Sequence, residues 1–581
     1  MSPPSHETDS LLHSDHNGST SIIHRGSFGH GQEEQPANAS EARDRGTYGT
    51  YGTGRTDIET ANGAISRTDA TGPSRLSTSS IFKIVAVLMI GLFTSNLDTS
   101  LVLATHPRIA SEFNALEDSS WIFVSFLLAG LTTQVLYAKL SDVYGRMVIL
   151  VFCYALFGAG CGLSRSMWHV ILGRILSGSG GSGMASIALI LTTDLVPLRE
   201  VASWLGYINI ISTTGRSLGG PLGGFLADRV GWRWSFSAQA PLFAIAMVAC
   251  MLVVPNTKPA RSSSVTGGAS DSKNKLSRID YAGPLLLGVA ALLLMFPLEI
   301  GGVKVPWTHP LVFGLLAAGL LVLALFVLNE SRWVDDPAVP LHLLKHKDII
   351  LSYVAASCIT ASQTTLMYFV PLYFQVTVGV SNTTAGLHLV PAVVANAVGG
   401  LVAGQLIRRT GSYKAVTVMS SLSASLAYIL LIIRWRGDTN WWESLYIIPG
   451  GFGAGMGASA LFVGLNAVIE PAHKAVIVSG LQLALPVGML LGVTASSAAL
   501  FGLIQTTLDQ KLLEIGLSPE SRSEIISKSI ADVEYIRQIP TSLRHVVISC
   551  YVDGFRASFS VILAFSLIGL LAGSFIKSRR L

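Results

Sequence analysis

Three ionisable side chains stand inside long apolar stretches of this sequence. Asp98, Arg174 and Arg216 each lie in a run of mostly apolar residues that is long enough to cross a bilayer as a helix. A charge in hydrocarbon is costly, so such residues usually face a cavity, a pathway or a partner of opposite charge. We therefore expect Asp98 to bind a proton or a cation, and Arg174 to share its cavity and to change pairing as protons come and go. The alternative for Asp98 is a structural ion pair with a nearby arginine.

Arg216 is open to two interpretations: it neutralises the carboxylate of a substrate, or it pairs with an acid such as Asp98. Glu299 stands at the end of another apolar run and receives no role. The sequence shows no nucleophile, metal-ligand or phosphate-binding arrangement, and the five cysteines have no metal spacing. It therefore indicates a protein without cofactor or metal, and not an enzyme.

The composition indicates that most of the chain faces lipid. Of its 581 residues, 50% are hydrophobic and 13% are charged, and the mean hydropathy is +0.52. Soluble domains carry roughly 25% charged residues. The net charge of +5 comes from basic loops, as membrane topology requires, so it predicts no nucleic-acid partner.

Apolar runs separated by short polar breaks predict an all-α membrane protein with fourteen transmembrane helices. Residues 1–80 are polar and predict a disordered tail without a signal peptide. The predicted spans are 82–104, 120–138, 147–164, 167–191, 203–226, 234–254, 281–300, 309–328, 349–372, 383–406, 414–433, 443–466, 475–503 and 556–576.

Basic residues are enriched in one set of alternate loops, which predicts that both chain ends lie in the cytosol. The polar stretch 505–555 then becomes a lumenal or external loop. In that topology the sequon at Asn382 faces the lumen and is a candidate glycosylation site.

The first motif that carries a family resemblance is the charged loop at residues 137–146, with the sequence YAKLSDVYGR. Leu140, Asp142, Gly145 and Arg146 match the loop signature between the second and third spans of the major facilitator superfamily, which the sequence resembles. Ala138 and Val143 depart from it. The resemblance implies two six-helix bundles and a charge contact between them that uses Asp142 and Arg146. The alternative is a charged turn that merely ends two helices.

A second loop, residues 404–411, repeats this pattern in the later part of the chain, with Arg408 in place of Asp142. Duplicated halves with a site between them are typical of transporters. The repeat predicts a six-helix bundle at 81–255, a linker at 256–280, an inserted helix pair at 281–330 and a second six-helix bundle at 331–581. The pair resembles the insertion of fourteen-span proton antiporters.

Three elements inside the spans resemble motifs of that antiporter group. They are L-D-T-S at residues 97–100, R-I-L-S-G-S-G from Arg174, and a glycine-rich element at residues 215–224. The last resembles the antiporter signature through Gly215, Gly220, Pro221, Gly223 and Gly224. The resemblance implies that solute and protons move in opposite directions by alternating access. Small residues and proline also allow close helix contact and bending.

The runs TSLVLAT, PLRE and GWRWSF together resemble fungal vacuolar basic amino acid transporters. The tail residues Glu7, Leu11 and Leu12 form an acidic dileucine pattern, which a sorting adaptor complex would read. We therefore predict import of lysine, histidine and arginine into the vacuole in exchange for protons, by a monomer in the lipid bilayer. One alternative is a multidrug or toxin exporter at the plasma membrane. Another is a non-transporting nutrient receptor, against which the absence of a folded extension argues.

Overall fold

The computed structural model describes residues 78–158, 162, 164–195, 198–254, 281–301, 304–332, 346–468 and 474–577. Almost all of them are helical, so the predicted all-α class is confirmed. The sorting residues Glu7, Leu11 and Leu12 and the linker 256–280 lie outside the described residues.

The α-helices of the described residues follow each other with short connections. They are α1 Thr78–Glu112, α2 Ser119–Tyr144, α3 Arg146–Gly158, α4 Met167–Leu195, α5 Leu198–Arg229, α6 Trp232–Ser237, α7 Ala240–Val253, α8 Ala282–Ile300, α9 Pro310–Arg332, α10 Lys347–Thr377, α11 Asn382–Leu387, α12 Val390–Thr410, α13 Tyr413–Arg434, α14 Ile448–Val468, α15 Lys474–Glu514, α16 Pro519–Ala531, α17 Val533–Gln538 and α18 Thr541–Phe575. Short 3₁₀ helices at Leu116–Asp118 and Trp441–Ile447 precede α2 and α14.

In the described part of the chain, twelve helical segments are long and apolar enough to cross a membrane. The predicted spans 147–164 and 203–226 coincide with α3 and α5, which are not among the twelve. The described part of α3 is short, and serine, threonine, arginine and glycine lower the hydropathy of α5. The predicted count of fourteen is therefore not confirmed, although helices occupy all fourteen places.

The helices form two halves and an inserted hairpin. In the first half, α1 packs on α5 and α2 packs on α4; in the second, α12 and α13 pack on α14, and α10 packs on α15 and α18. In the hairpin, α9 packs on α8, which in turn packs on α2 of the first half and α15 of the second. The helix α8 therefore bridges the halves.

Glycines set the close contact between α1 and α5. Gly215, Gly219 and Gly223 recur at every fourth position of α5, on one face of the helix. A Cβ at Gly215 would meet the backbone oxygen of Phe93, and one at Gly219 would meet that of Leu97. Only a residue without a side chain permits this approach of the two backbones.

The segment predicted as the loop 505–555 is largely helical. Helix α15 continues to Glu514 and α18 begins at Thr541, with α16 and α17 between them. The polar turns of α15 and α18 contact each other, since Lys511 lies 3.5 Å from Asp553 and donates to Ser549 at 2.9 Å. These polar turns end the apolar pattern but not the helices, so the connection is shorter than predicted.

Among the described residues, hydrogen bonds between the two halves concentrate at one end of the molecule. We call the end with the α1–α2 connection the Asp118 end, and the end with the α2–α3 turn the Arg146 end. At the Asp118 end, Gln375 of α10 donates to the Ala104 carbonyl oxygen of α1 at 3.1 Å, and the hydroxyls of Ser119 and Tyr368 are 3.1 Å apart. The halves are thus closed against each other at the Asp118 end.

Candidate functional site

Asp98 and Arg174 form a buried ion pair inside the first half. The Arg174 Nη1 atom lies 2.6 Å from Asp98 Oδ2, and the two residues are 0% and 1% exposed. The Arg174 Nε–H donates to the carbonyl oxygen of Ile122 at 3.1 Å, and Gln239 donates to Asp98 Oδ1 at 3.2 Å. Helices α1, α2 and α4 and the α6–α7 connection therefore meet at one charge pair.

Apolar side chains surround this ion pair and leave little room for water. The Arg174 guanidinium carbon lies 4.3 Å from the centre of the Phe126 ring. A cavity of about 10 Å³, room for one water molecule, lies beside the pair. It is lined only by first-half residues, among them Phe157, Phe236 and Phe243. The ion pair thus lies within the first half and not in the space between the halves.

The structure brings Asp98 and Arg174 together as a buried ion pair, an arrangement that fits both the expected shared cavity and the structural alternative for Asp98. A change of pairing with protonation stays a prediction. Helix α1 continues from the predicted end at residue 104 to Glu112, so Asp98 lies deeper along its helix than predicted. Gln239, a polar residue in an apolar run, is typical of a hydrogen bond between helices, but the sequence did not identify Asp98 as its partner.

Arg216 lies apart from the Asp98 pair. Its Nη2 donates to Asn96 Oδ1 of α1 at 2.9 Å, and its side chain is exposed. It shares a face of α5 with Gly220 and Gly224, which follow at four-residue intervals. A Cβ on either glycine would contact the second half, at Gly386 or Asn382 respectively. The inter-half face of α5 is therefore covered by the second half at Gly220, whereas the Arg216 side chain, one turn nearer the Arg146 end, is exposed.

The glycine-rich element of α5 serves two contacts. Gly215 and Gly223 face α1, whereas Gly220 and Gly224 face α11, and Pro221 stands between them inside the helix. The motif residues therefore allow α5 to pack closely on α1 of its own half and on α11 of the other half.

The charged turn after α2 links helices of the first half in this state. Arg146 lies 2.7 Å from Asp142 and 3.3 Å from Asp194 of α4, and its side chain is 7% exposed. Gly145 ends α2 with a φ of 96°, a conformation that favours glycine. Within the part of the chain that the structure describes, this ion pair contacts first-half residues only, and the implied contact between the halves stays a prediction.

At the closed end, Asp228 of α5 accepts hydrogen bonds from the first residues of α11. Its carboxylate accepts from the Asn382 side-chain amide at 2.7 Å and from the Thr383 backbone N–H at 2.7 Å. Asn382 is 9% exposed, and the nitrogen that a glycan would occupy is already a donor to Asp228. Asn382 is therefore not presented as a glycan acceptor in this state, which argues against the predicted glycosylation.

Comparisons with known proteins agree on one group. The sequence model described as Major Facilitator Superfamily matches residues 88–493. The vacuolar membrane amino acid uptake transporter fnx2 of Schizosaccharomyces pombe is 29% identical over 89% of this chain and 87% of its own. The multidrug resistance protein fnx1 of the same organism is 28% identical over 85% of this chain and 92% of its own.

Solved structures show the same fold. The crystal structure of a bacterial homologue of the human lysosomal transporter Spinster, in an inward-facing and unoccupied conformation, covers 86% of this chain and 98% of its own. The two superpose with a TM-score of 0.57 at 16% sequence identity. At that identity the likeness concerns the fold alone.

Proposed function

Because this chain belongs to the major facilitator superfamily and is a multi-pass membrane transporter rather than an enzyme, we propose that it is a proton-coupled antiporter of basic amino acids. It imports lysine, histidine and arginine into the vacuole and releases protons from it. The vacuolar membrane, the cytosolic chain ends and the sorting signal at Glu7, Leu11 and Leu12 belong to this proposal.

The observation that carries the proposal is the setting of Arg216. Its guanidinium is exposed on the inter-half face of α5, and its described hydrogen-bond partner is the neutral amide of Asn96. Asp98 has its own cation, Arg174, at 2.6 Å. Among the ion pairs of the described residues Arg216 takes no part, so its charge is available to the α-carboxylate of an amino acid.

The relative fnx2, whose name states amino acid uptake at the vacuolar membrane, supports the same substrate class. Its similarity extends over 89% of this chain. The family motifs at Arg174 and at residues 215–224 support antiport.

Proton coupling in this proposal uses the Asp98–Arg174 pair. A proton on Asp98 removes the negative charge that compensates the buried guanidinium, so Arg174 must find other acceptors. The nearby donors and acceptors belong to α2 and to the α6–α7 connection, and these elements shift relative to α1 when the pair breaks. Binding of a proton is thereby linked to the packing of the first half.

The state described is closed at the Asp118 end, which is the lumenal end in the predicted topology. An amino acid therefore reaches Arg216 from the cytosolic side. Opening of the other end requires separation of the contacts at Asp228 and Gln375.

Export of drugs or toxins is the second candidate. The multidrug resistance protein fnx1 is similar to this chain at nearly the same identity as fnx2. An exporter of apolar cations has no need of a fixed positive charge at Arg216, so this charge favours the amino acid transporter.

Uptake of labelled lysine, histidine and arginine into vacuolar vesicles, with ATP, tests the proposal. Vesicles that contain the protein should take up more label than vesicles that lack it, and a proton uncoupler should abolish the difference. Equal uptake by both vesicle types would contradict amino acid transport and favour drug export. Uptake that survives the uncoupler would contradict proton coupling.

A further inference from the structure

A second buried carboxyl group lies where the inserted hairpin meets the first half. Glu299, near the end of α8, is 8% exposed, and its Oε2 accepts a hydrogen bond from Ser120 of α2 at 2.6 Å. Further along the same contact, a Cβ at Gly288 of α8 would meet the side chain of Thr132 of α2. Glu299 thus lies in a close-packed contact at the Asp118 end.

The carboxyl of Glu299 has one well-formed hydrogen bond, from Ser120. Its Oε1 is buried without a second bond of ordinary geometry in the described part of the chain, and the neutral hydroxyl of Thr494 on α15 approaches the carboxyl. Residues 482–504 of that helix contain no ionisable side chain. Glu299 is therefore in contact with all three parts of the molecule: the hairpin, the first half and the second half.

The cation near Glu299, Lys304, pairs with two other carboxylates. Lys304, after α8, lies 2.7 Å from Asp118 and 3.7 Å from Glu117. Burial lowers the pKa of the Lys304 ammonium, but the two carboxylates outweigh this effect and raise it above its usual value. Lys304 thus stays charged and bound to two acids, and among the ion pairs of the described residues Glu299 has none.

The other ionisable groups nearby belong to the closed contact itself. Tyr368 of α10 lies near Glu299, its hydroxyl meets Ser119 at 3.1 Å, and its ring stacks on His106 of α1 at 3.9 Å. His106 contacts the carbonyl oxygen of Tyr368 and not Glu299. The Ser119–Tyr368 contact between the halves therefore lies beside Glu299.

We propose that Glu299 is a proton-binding residue of the conformational cycle: it holds a proton while the Asp118 end is closed and releases it when that end opens. A buried carboxylate without a cation is costly, whereas the neutral acid is tolerated. In the opened state water solvates the ionised form. Acid on that side of the membrane therefore favours closure. This inference goes beyond the proposed function, because it concerns another acid and holds for any substrate.

A distance measurement between spin labels tests this inference without a substrate. Val230 and Val378 are exposed positions at the Asp118 end, one in each half, and cysteines there carry the labels. The five native cysteines are replaced by alanine, and the protein is studied in lipid nanodiscs between acidic and alkaline pH. In the parent chain the short-distance population should grow as the pH falls, by at most about tenfold in the closed-to-open ratio per pH unit for one proton.

Glu299→Gln should remain mainly closed and lose this pH response, because the amide is always neutral. Glu520→Gln, at an exposed acid of α16, is the matched control and should keep the parent response. Infrared difference spectra provide a second readout: the closed parent should show a carboxylic acid carbonyl band that Glu299→Gln lacks, whereas a band from protonated Asp98 would be common to both proteins. A parent without pH response, a Glu299→Gln variant that keeps the full parent response, or identical carboxylic acid bands in the two proteins would each overturn the inference.

Discussion

Asp98 and Arg174 compensate each other in a part of the first half that has room for about one water molecule. Neither charge can be removed alone without leaving the other buried and uncompensated. Breaking a buried pair in this way costs about 3–5 kcal/mol. The same two residues therefore contribute to the stability of the first half and form the proposed proton site.

Asp98→Asn should lower the free energy of unfolding by about 3–5 kcal/mol and abolish gradient-driven uptake, because Arg174 loses its counter-charge and the proton loses its site. Thermal unfolding of the purified protein and uptake in vesicles measure the two effects. The double variant Asp98→Asn with Arg174→Gln is the control: it should recover much of the stability, since no lone charge remains, but not the uptake. Full uptake by the single variant would exclude Asp98 as the proton site.

Arg216→Gln should reduce lysine uptake on the order of tenfold or more, because a charge-assisted contact to the substrate carboxylate contributes about 1.5–3 kcal/mol. Folding should change little, since Arg216 takes part in none of the described ion pairs and its described hydrogen bond is to the neutral amide of Asn96. Arg216→Lys, which keeps the charge but loses the two-pronged geometry, should retain part of the uptake. An unchanged KM for lysine in Arg216→Gln would contradict the assignment.

At the scale of residues, the sequence identifies candidates but not their partners. Asp98, Arg174 and Arg216 are recognisable because charges are rare in apolar runs. Which arginine meets Asp98 depends on how α1, α4 and α5 pack, and this left two pairings open. The setting of Glu299 was not predictable at all, because it depends on contacts with α2 and α15 that no local pattern encodes.

At the scale of elements, the glycine stripe of α5 gives a direct test of packing. Gly219→Val should destabilise the protein by about 1–3 kcal/mol, because its Cβ would meet the Leu97 backbone oxygen and the Ser100 side chain. Gly314→Ala on α9 is the matched control, since an added Cβ there meets nothing within 4 Å. It should leave the melting temperature unchanged or raise it slightly. Equal melting temperatures for parent and Gly219→Val would show that α1 and α5 have room to separate.

The positions of the elements were largely predictable, and their lengths were not. Apolar runs mark where helices cross, and each predicted span has a helix. However, α1, α15 and α18 continue through polar turns that hydropathy assigns to loops. Those turns are stabilised by contacts with distant helices, such as Lys511 with Asp553. Hydropathy reports the environment of a residue and not where the helix ends.

At the scale of the whole molecule, the closed Asp118 end is held by contacts that must break in the proposed transport cycle. Asp228 is the central one, because its carboxylate accepts from both the backbone and the side chains of Asn382 and Thr383. An acid at the start of a helix is favoured by the unpaired N–H groups there. The state of the whole transporter is thus sensitive to one side chain of the first half.

Asp228→Asn should shift the molecule towards the state that is open at the Asp118 end. The amide loses the negative charge and presents one acceptor oxygen in place of two, which costs about 1–3 kcal/mol of closed-state stability. Since 1.4 kcal/mol is a tenfold change, the closed-to-open ratio should fall on the order of tenfold. Distances between labels at positions 230 and 378 measure that ratio directly. Asp509→Asn serves as the control, because Asp509 pairs with Arg522 inside the second half at 2.9 Å and should leave the distances unchanged. If Asp228→Asn gives the parent distance distribution, other contacts between the halves, such as those of Gln375, Tyr368 and Arg108, hold this end closed and Asp228 is not required for closure.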